Sequence, residues 1–293
     1  AVFALGKHGG QELSPGSDLD MIFVYEVPED AEESNGEKPL SPGHYYIRLS
    51  QRYINALSAP TAEGVLFETD LRLRPSGNKG PLATHFKSFE AYQLNEAWTW
   101  EHMALTRLRP VYGPQALCDR VMETTNSVLQ KKRNPDDLLR DVYDMRNRMD
   151  AGKGDSHPWA IKMRRGGLVD LEFIAQYLQL AHAHTHPEIL SPTTREVFKN
   201  LSSAGILEAE EATFLANAGS FWLALQAMLR LTTEGPFDPA NASTDLRRML
   251  ARAGQCDDFD ALQAKLDETA GRIKAIYDRL ITEPAEKLPP RSE

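Results

Sequence analysis

Two aspartates one residue apart, Asp18 and Asp20, stand at the mouth of an apolar run in LGKHGGQELSPGSDLDMIFVYE, residues 5–26. On a strand, alternate residues share a face, so both carboxylates project together while Leu19, Met21 and Phe23 point the other way. Two such charges repel unless a cation lies between them. The glycines just upstream supply backbone that a ligand can approach closely. A third carboxylate comes from GVLFETDLRLRPSG, residues 64–77, which alternates Val65, Phe67, Leu71 and Leu73 with Glu68, Asp70, Arg72 and Arg74. That pattern predicts a strand with one core face and one charged face, closed by Pro75 and Gly77. A glycine turn, a D-x-D pair and Asp70 on a neighbouring strand suit two-metal phosphoryl chemistry, in which the ions clamp the attacking and leaving oxygens. A hard cation such as Mg²⁺, presented beside a glycine-lined pocket, fits a nucleoside triphosphate.

These carboxylates need a sheet to hold them. Residues 1–6 and 18–26 read as short strands rich in Val, Ile, Phe and Tyr. The segment 26–43 is acidic, polar and full of turn formers, which predicts a solvated loop. Residues 44–58 bring Tyr46, Leu49, Tyr53 and Leu57 onto one face of an amphipathic helix. Beyond it the pattern is helical. A helix is expected from Ser88 as N-cap to Leu108, and another from Asn134 as cap with Pro135 in its first turn. Further helices are expected over 167–183, 207–233 and 258–282. The fold class is therefore α+β: a catalytic domain over 1–112 with a mixed sheet and flanking helices, an all-α bundle over 113–285, and a tail at 286–293.

Composition narrows the classes. A chain of 293 residues has room for two cores. A net charge of −9 disfavours a long nucleic-acid surface, which wants clustered cations. Cys118 and Cys256 are too few and too far apart for a disulfide framework or a zinc site, as expected for a reducing cytoplasm. No apolar stretch of membrane-spanning length and no signal-peptide pattern stand out, so neither a membrane nor nucleic acid is expected as partner. AVFALG reads as a strand already under way, and EKLPPRSE as a natural finish, so the expectation is the C-terminal part of something longer.

The motifs in order resemble one family. GKHGG…SDLD is similar to the nucleotidyltransferase motif of polymerase β-like enzymes. GHYYIRLSQRYINAL, FETDLRLRPSGNKGPLAT, EAWTWEHMALTRLRPVYG and GGLVDLEFIAQYLQL extend the likeness over nearly the whole chain, to the glutamine synthetase adenylyltransferases. Members carry two nucleotidyltransferase halves, and the wording here looks more like the C-terminal, adenylylating one. The resemblance implies an enzyme that transfers AMP from ATP to a tyrosine hydroxyl of glutamine synthetase, releasing pyrophosphate. It implies Mg²⁺ on Asp18 and Asp20, with Asp70 completing a second metal site and helping to deprotonate the tyrosine. Gly9, Gly10 and Ser17 would line the triphosphate through backbone N–H groups and a hydroxyl. PII proteins and glutamine are the implied regulators, and the helical half is similar to the one that PII uridylyltransferases carry. Phosphorolytic deadenylylation, uridylylation of PII and a non-catalytic regulatory fragment are the competing functions. Crowded carboxylates count against the last.

Several residues carry two readings each. Arg72 and Arg74 either neutralise phosphate or pair with Glu68 and Asp70 along the strand. Lys162, Arg164 and Arg165 either reach the nucleotide from the helical domain or form a solvated basic loop. Asp170 and Glu172 either bond the nucleotide or link the domains. Trp98 and Trp100 belong to a core or interface, or stack on adenine. His8 lies in the glycine turn with no second histidine at ligand spacing.

Overall fold

A computed structural model describes residues 1–65, 67–153 and 157–289. The chain divides into two compact units, Ala1–Lys131 and Lys132–Glu293.

The first unit is built on β2 (Leu19–Tyr25). Leu19, Met21, Ile22, Phe23 and Val24 are all buried, so this strand is covered on both faces, which its near-continuous apolar run requires. β1 (Val2–Ala4) pairs antiparallel along one edge, Phe3 opposite Ile22, and β5 (Arg109–Tyr112) pairs antiparallel with β1. Along the other edge run two short parallel strands. β3 (Thr69–Asp70) lies beside Leu19 and Asp20, and β4 (Ala83–His85) beside Phe23 to Tyr25. The sheet is therefore mixed, and the unit is α+β.

Helices complete the unit. α1 (Gly6–Gly9) is one turn joining β1 to the approach of β2. α2 (Pro42–Leu57) lays Tyr46, Tyr53, Ile54 and Leu57 on the face formed by Leu19, Met21 and Phe23. Tyr53 meets Phe23 edge-on at 5.7 Å between centroids, and Tyr46 stacks on Tyr25 at 4.4 Å. α3 (Phe86–Asn95) and α4 (Thr99–Leu105) replace the single helix expected from Ser88 to Leu108. His85, not Ser88, caps α3 by accepting from Lys87 N at 3.2 Å. The break before α4 is held by Glu101, whose carboxylate accepts from Trp98 N at 2.9 Å and from the Tyr92 hydroxyl at 2.7 Å. α5 (Gln115–Leu129) packs on α3, which places the unit boundary after Lys131 rather than after residue 112.

The strand expected over 64–77 shrinks to Thr69–Asp70. Val65 is 51% exposed, and from Leu71 the chain leaves the sheet in turns closed by Arg74 N on Leu71 O and Gly77 N on Arg74 O. Phe67 and Leu71 still pack on the core, so their alternation was informative while that of the arginines was not. Residues 26–41 form neither strand nor helix, as their composition requires. Glu26 is tied to Arg120 at 2.5 Å, and Ser34 N donates to Leu40 O at 2.9 Å.

The second unit is helical among the described residues: α6 (Pro135–Lys153), α7 (Leu168–His182), α8 (Thr194–Ser203), α9 (Ala209–Thr232), α10 (Thr244–Ala253), α11 (Phe259–Tyr277) and, after a wider turn, α12 (Glu283–Glu286). Asn134 caps α6 as expected, accepting from Asp136 N at 2.9 Å and Asp137 N at 3.3 Å. Leu215, Trp222 and Leu225 of α9 lie in the core with Phe198, Leu201, Leu262, Leu266 and Ile273. Contrary to the expectation from sequence, α9 is long and apolar enough by composition to cross a membrane; half of its most apolar window is buried inside the unit. Arg146 and Asp170, both fully buried, pair at 2.5 Å.

Candidate active site

The parallel pairing of β2 with β3 sets Asp20 directly opposite Asp70. Neighbouring strands run about 4.8 Å apart, so residues in register are the closest pair two strands can offer. Leu5 N donates to Asp20 O at 3.0 Å and Leu19 N to Glu68 O at 2.8 Å, pinning this end of β2 from both edges. Asp18 precedes β2 and is exposed, whereas Asp20 and Asp70 are half-buried. Buried Leu19 between the two aspartates fixes which way the pair faces.

The glycine turn packs against this pair. Gly6 has φ +49°, and a β-carbon on it would stand 2.3 Å from Asp20 Oδ2. Only glycine lets backbone approach a carboxylate so closely. A β-carbon on Gly9 would come 1.9 Å from the Arg107 carbonyl oxygen, so the turn is also pressed onto the lead-in to β5. Two arginines of TRLRPVYG hold it there. Arg109 donates to His8 O at 3.0 Å and Gly9 O at 3.1 Å, and buried Arg107 pairs with Glu12. Neither arginine had been singled out from sequence, although their spacing of two beside a strand was a usable signal. His8 is held below the ordinary imidazole range by burial, then by the nearby Arg109 charge, with a hydrogen bond to the Asp20 backbone opposing them.

The backbone N–H groups expected to meet a triphosphate serve the turn itself. Gly9 N donates to Leu5 O at 2.6 Å, Gly10 N to Gly6 O at 3.1 Å and Ser17 N to Ser14 O at 2.9 Å. Ser17 is buried, and its hydroxyl accepts from Ser14 N at 3.0 Å. In this structure these three residues build the wall of the site from within.

Asp70 faces a cation of the chain's own. Its Oδ1 accepts from Arg72 N at 2.8 Å and Nε at 3.0 Å, and its Oδ2 from Nε at 2.8 Å and from Nη2. These hydrogen bonds hold the Asp70 carboxyl below the usual carboxylate range, chiefly through the Arg72 side chain. Arg72 is stabilised in its charged form by Asp70 first, with Asp20 and Asp18 contributing in the same sense. Its guanidinium therefore sits in the field of all three predicted carboxylates. Arg74 acts on Asp70 only through its charge; its guanidinium donates to Leu71 O at 2.7 Å and Gly80 O at 3.3 Å, bracing the turn. Among the described residues, no group of three or more His, Cys, Asp and Glu side chains is placed to hold a metal ion as it stands. The donor set nonetheless fits one in kind: hard oxygens, a glycine cradle that a β-carbon would fill, and a cation already held among the three charges.

The other candidates resolve differently. Trp98 is 72% exposed and Trp100 is partly exposed, so neither is a core residue. Asp170 lies wholly inside the second unit, accepting from Arg146 Nε and from Gly166 N at 2.6 Å; it organises that unit. Arg165 stacks on Tyr277 with 4.7 Å to the ring centre and pairs with Asp278 at 3.7 Å, and Arg164 pairs with Asp267 at 3.2 Å. Lys162 is exposed, and Glu172 half-buried on α7.

Comparison with known proteins gives this geometry its context. Residues 1–124 match the family model described as glutamate-ammonia ligase adenylyltransferase, and residues 143–281 the one described as GlnD PII-uridylyltransferase. The chain is 43% identical, over 97% of its length, to a bifunctional glutamine synthetase adenylyltransferase/adenylyl-removing enzyme of Bradyrhizobium sp.. It is 44% identical over 98% of its length to the protein of that name from Xanthobacter autotrophicus, and 41% over 96% to one from Rhodopseudomonas palustris. It spans 28–29% of the length of these relatives. The adenylyltransferase model thus covers the residues that include Asp18, Asp20 and Asp70, and the relatives of that name are similar to this chain along nearly all of its own length.

Proposed function

We infer that this chain is a polymerase β-like nucleotidyltransferase unit with its helical companion, transferring AMP from ATP to a tyrosine hydroxyl of glutamine synthetase with release of pyrophosphate. The observation that carries the inference is the register of Asp20 with Asp70 beside a glycine turn that admits no side chain. Asp18 and Asp20 are the residues to hold Mg²⁺ at the phosphates, and Asp70 the residue on the nucleophile's side. When bound, the metal supplies positive charge that acidifies the attacking hydroxyl and offsets charge developing on the phosphate. The chain's own groups do the rest. A tyrosine hydroxyl has a pKa near about 10, far above a carboxylate, so Asp70 alone is a weak proton acceptor for it. Its main service would be to hold the cation on the nucleophile's side, whose charge makes the hydroxyl easier to deprotonate. Arg109, by gripping the His8 and Gly9 carbonyls, and the Arg107–Glu12 pair keep the turn against Asp20.

The relatives' name also carries an adenylyl-removing activity; with phosphate as acceptor, removal would free the tyrosine and release ADP, a reaction distinct from the reverse of the transfer, which would consume pyrophosphate. The uridylyltransferase likeness falls on residues 143–281, outside the unit with the three aspartates, so it favours a shared helical scaffold over uridylyl transfer. Glutamine synthetase as substrate, PII proteins and glutamine as regulators, and the cytoplasm as location follow from the same reading. The test is incubation with ATP labelled at the α-phosphate, Mg²⁺ and unmodified glutamine synthetase. Label retained on a synthetase tyrosine supports the assignment. No label, together with ADP release from adenylylated synthetase and phosphate, would assign the removing reaction instead.

A further inference from the structure

The Asp70–Arg72 pair has a consequence for how the site fills, one that rests on the metal-dependent reading above. Both oxygens of Asp70 are engaged by a single residue two positions on. The fork forms because the chain leaves the sheet at Leu71, so Arg72 no longer follows the strand and folds back over Asp70. The turn does not need this contact to stand, since Arg74 ties it to Leu71 O and Gly80 O. The Arg72 side chain is 68% exposed while that of Asp70 is 13% exposed, so the arginine has open solvent to swing into and the carboxylate does not. A guanidinium fork and a divalent cation compete for the same lone pairs and repel each other, so each weakens the other's hold on Asp70.

We propose that Arg72 is a displaceable internal cation that competes with a divalent metal for Asp70, and that a nucleoside triphosphate resolves the competition by drawing the guanidinium onto its phosphates. Arginine is suited to both partners, because the same planar fork matches carboxylate and phosphate. Asp20 and Asp18 add attraction that keeps the guanidinium near the site. The metal on the nucleophile's side then loads only when the nucleotide has arrived. By linkage, the coupling is reciprocal: what the nucleotide gains in metal affinity, the metal returns in nucleotide affinity.

The test is Mn²⁺ binding followed by electron paramagnetic resonance, with and without α,β-methylene-ATP, which binds but cannot transfer AMP. The proteins are the unaltered chain, Arg72→Gln, Arg72→Lys and Asp70→Asn, each checked for an unchanged melting transition. Without nucleotide, Arg72→Gln is expected to bind Mn²⁺ about tenfold more tightly than the unaltered chain, the scale of one lost charge-assisted fork. Arg72→Lys, which keeps the charge and loses the fork, should fall between them. Asp70→Asn should show no gain. With the analogue present, the unaltered chain should recover the affinity, whereas Arg72→Gln should bind the analogue about tenfold less well. If Mn²⁺ binding without nucleotide is the same in Arg72→Gln as in the unaltered chain, or weaker, Arg72 is a brace and the proposal is wrong. If no protein binds Mn²⁺ even with the analogue, the metal-dependent reading falls first and this inference with it.

Discussion

Gly6 and Asp20 are packed so that a β-carbon on the glycine would stand 2.3 Å from the aspartate's Oδ2, and Gly6 adopts φ +49°. Gly6→Ala therefore meets both a left-handed backbone, costing about 1–2 kcal/mol, and a displaced carboxylate. The melting temperature should fall by a few degrees, while AMP transfer should fall by orders of magnitude. Parallel melting and transfer assays decide it. A normal rate in the alanine variant would show that the contact has no bearing on chemistry.

Asp18→Asn and Asp20→Asn should each abolish transfer with the fold intact. Removing one of two neighbouring carboxylates relieves repulsion, so the melting temperature without metal should hold or rise. A marked loss of stability in either variant would make these aspartates structural.

Asp170→Asn should destabilise the second unit by about 3–5 kcal/mol, because it leaves buried Arg146 with too little counter-charge. Asp150, partly exposed and 3.2 Å from Arg146, is too wet to replace it. Urea unfolding of Asp170→Asn, Arg146→Met and the double variant Arg146→Met/Asp170→Leu checks this. The double variant should recover much of the loss, since both buried charges are gone; additive losses would overturn the account.

Tyr277 is buried, and burial first, then the Asp170 charge, pushes its phenol above the ordinary range. A pKa raised in the fold contributes stability that is fully present below the unfolded value of about 10 and is lost as pH rises through the folded value. The unaltered chain should therefore lose stability above about pH 10 more steeply than Tyr277→Phe, with the two curves parallel below about pH 9. Melting temperatures at intervals from pH 7 to 11 would show it; parallel curves throughout would mean that Tyr277 titrates no differently once unfolded.

Local pattern made much of this protein legible. The apolar run after Asp18 could only be an inner strand, the Asn134–Pro135 pair could only open a helix, and the spacing of Asp18 and Asp20 set them around a buried Leu19. Where pattern misled, a local rule was overruled by packing. The four alternating charges from Glu68 to Arg74 resembled a strand face, yet two of them lie in turns, because Arg74 satisfies carbonyls that a strand would have paired. The helix expected to run from Ser88 to Leu108 is cut because Glu101 spends its carboxylate on a second N-terminus. α5, α8 and α10 are not singled out by the sequence reading, although α8 and α10 are strongly amphipathic and α10 opens on Ser243, whose hydroxyl accepts from Leu246 N at 3.2 Å.

For the site, residue types and local spacing were legible in the sequence: three aspartates, three glycines, and a strand that opens just after Asp18. Which strand would lie beside β2, in which register, and which cation would sit on Asp70 were decided only by the tertiary structure. So were the roles of Arg107 and Arg109, some hundred positions along the chain from the turn they hold. The reason is physical. Periodicity reports which way a side chain faces relative to its own backbone, but a contact between distant segments depends on how separate elements dock, and that depends on the packing of the whole unit.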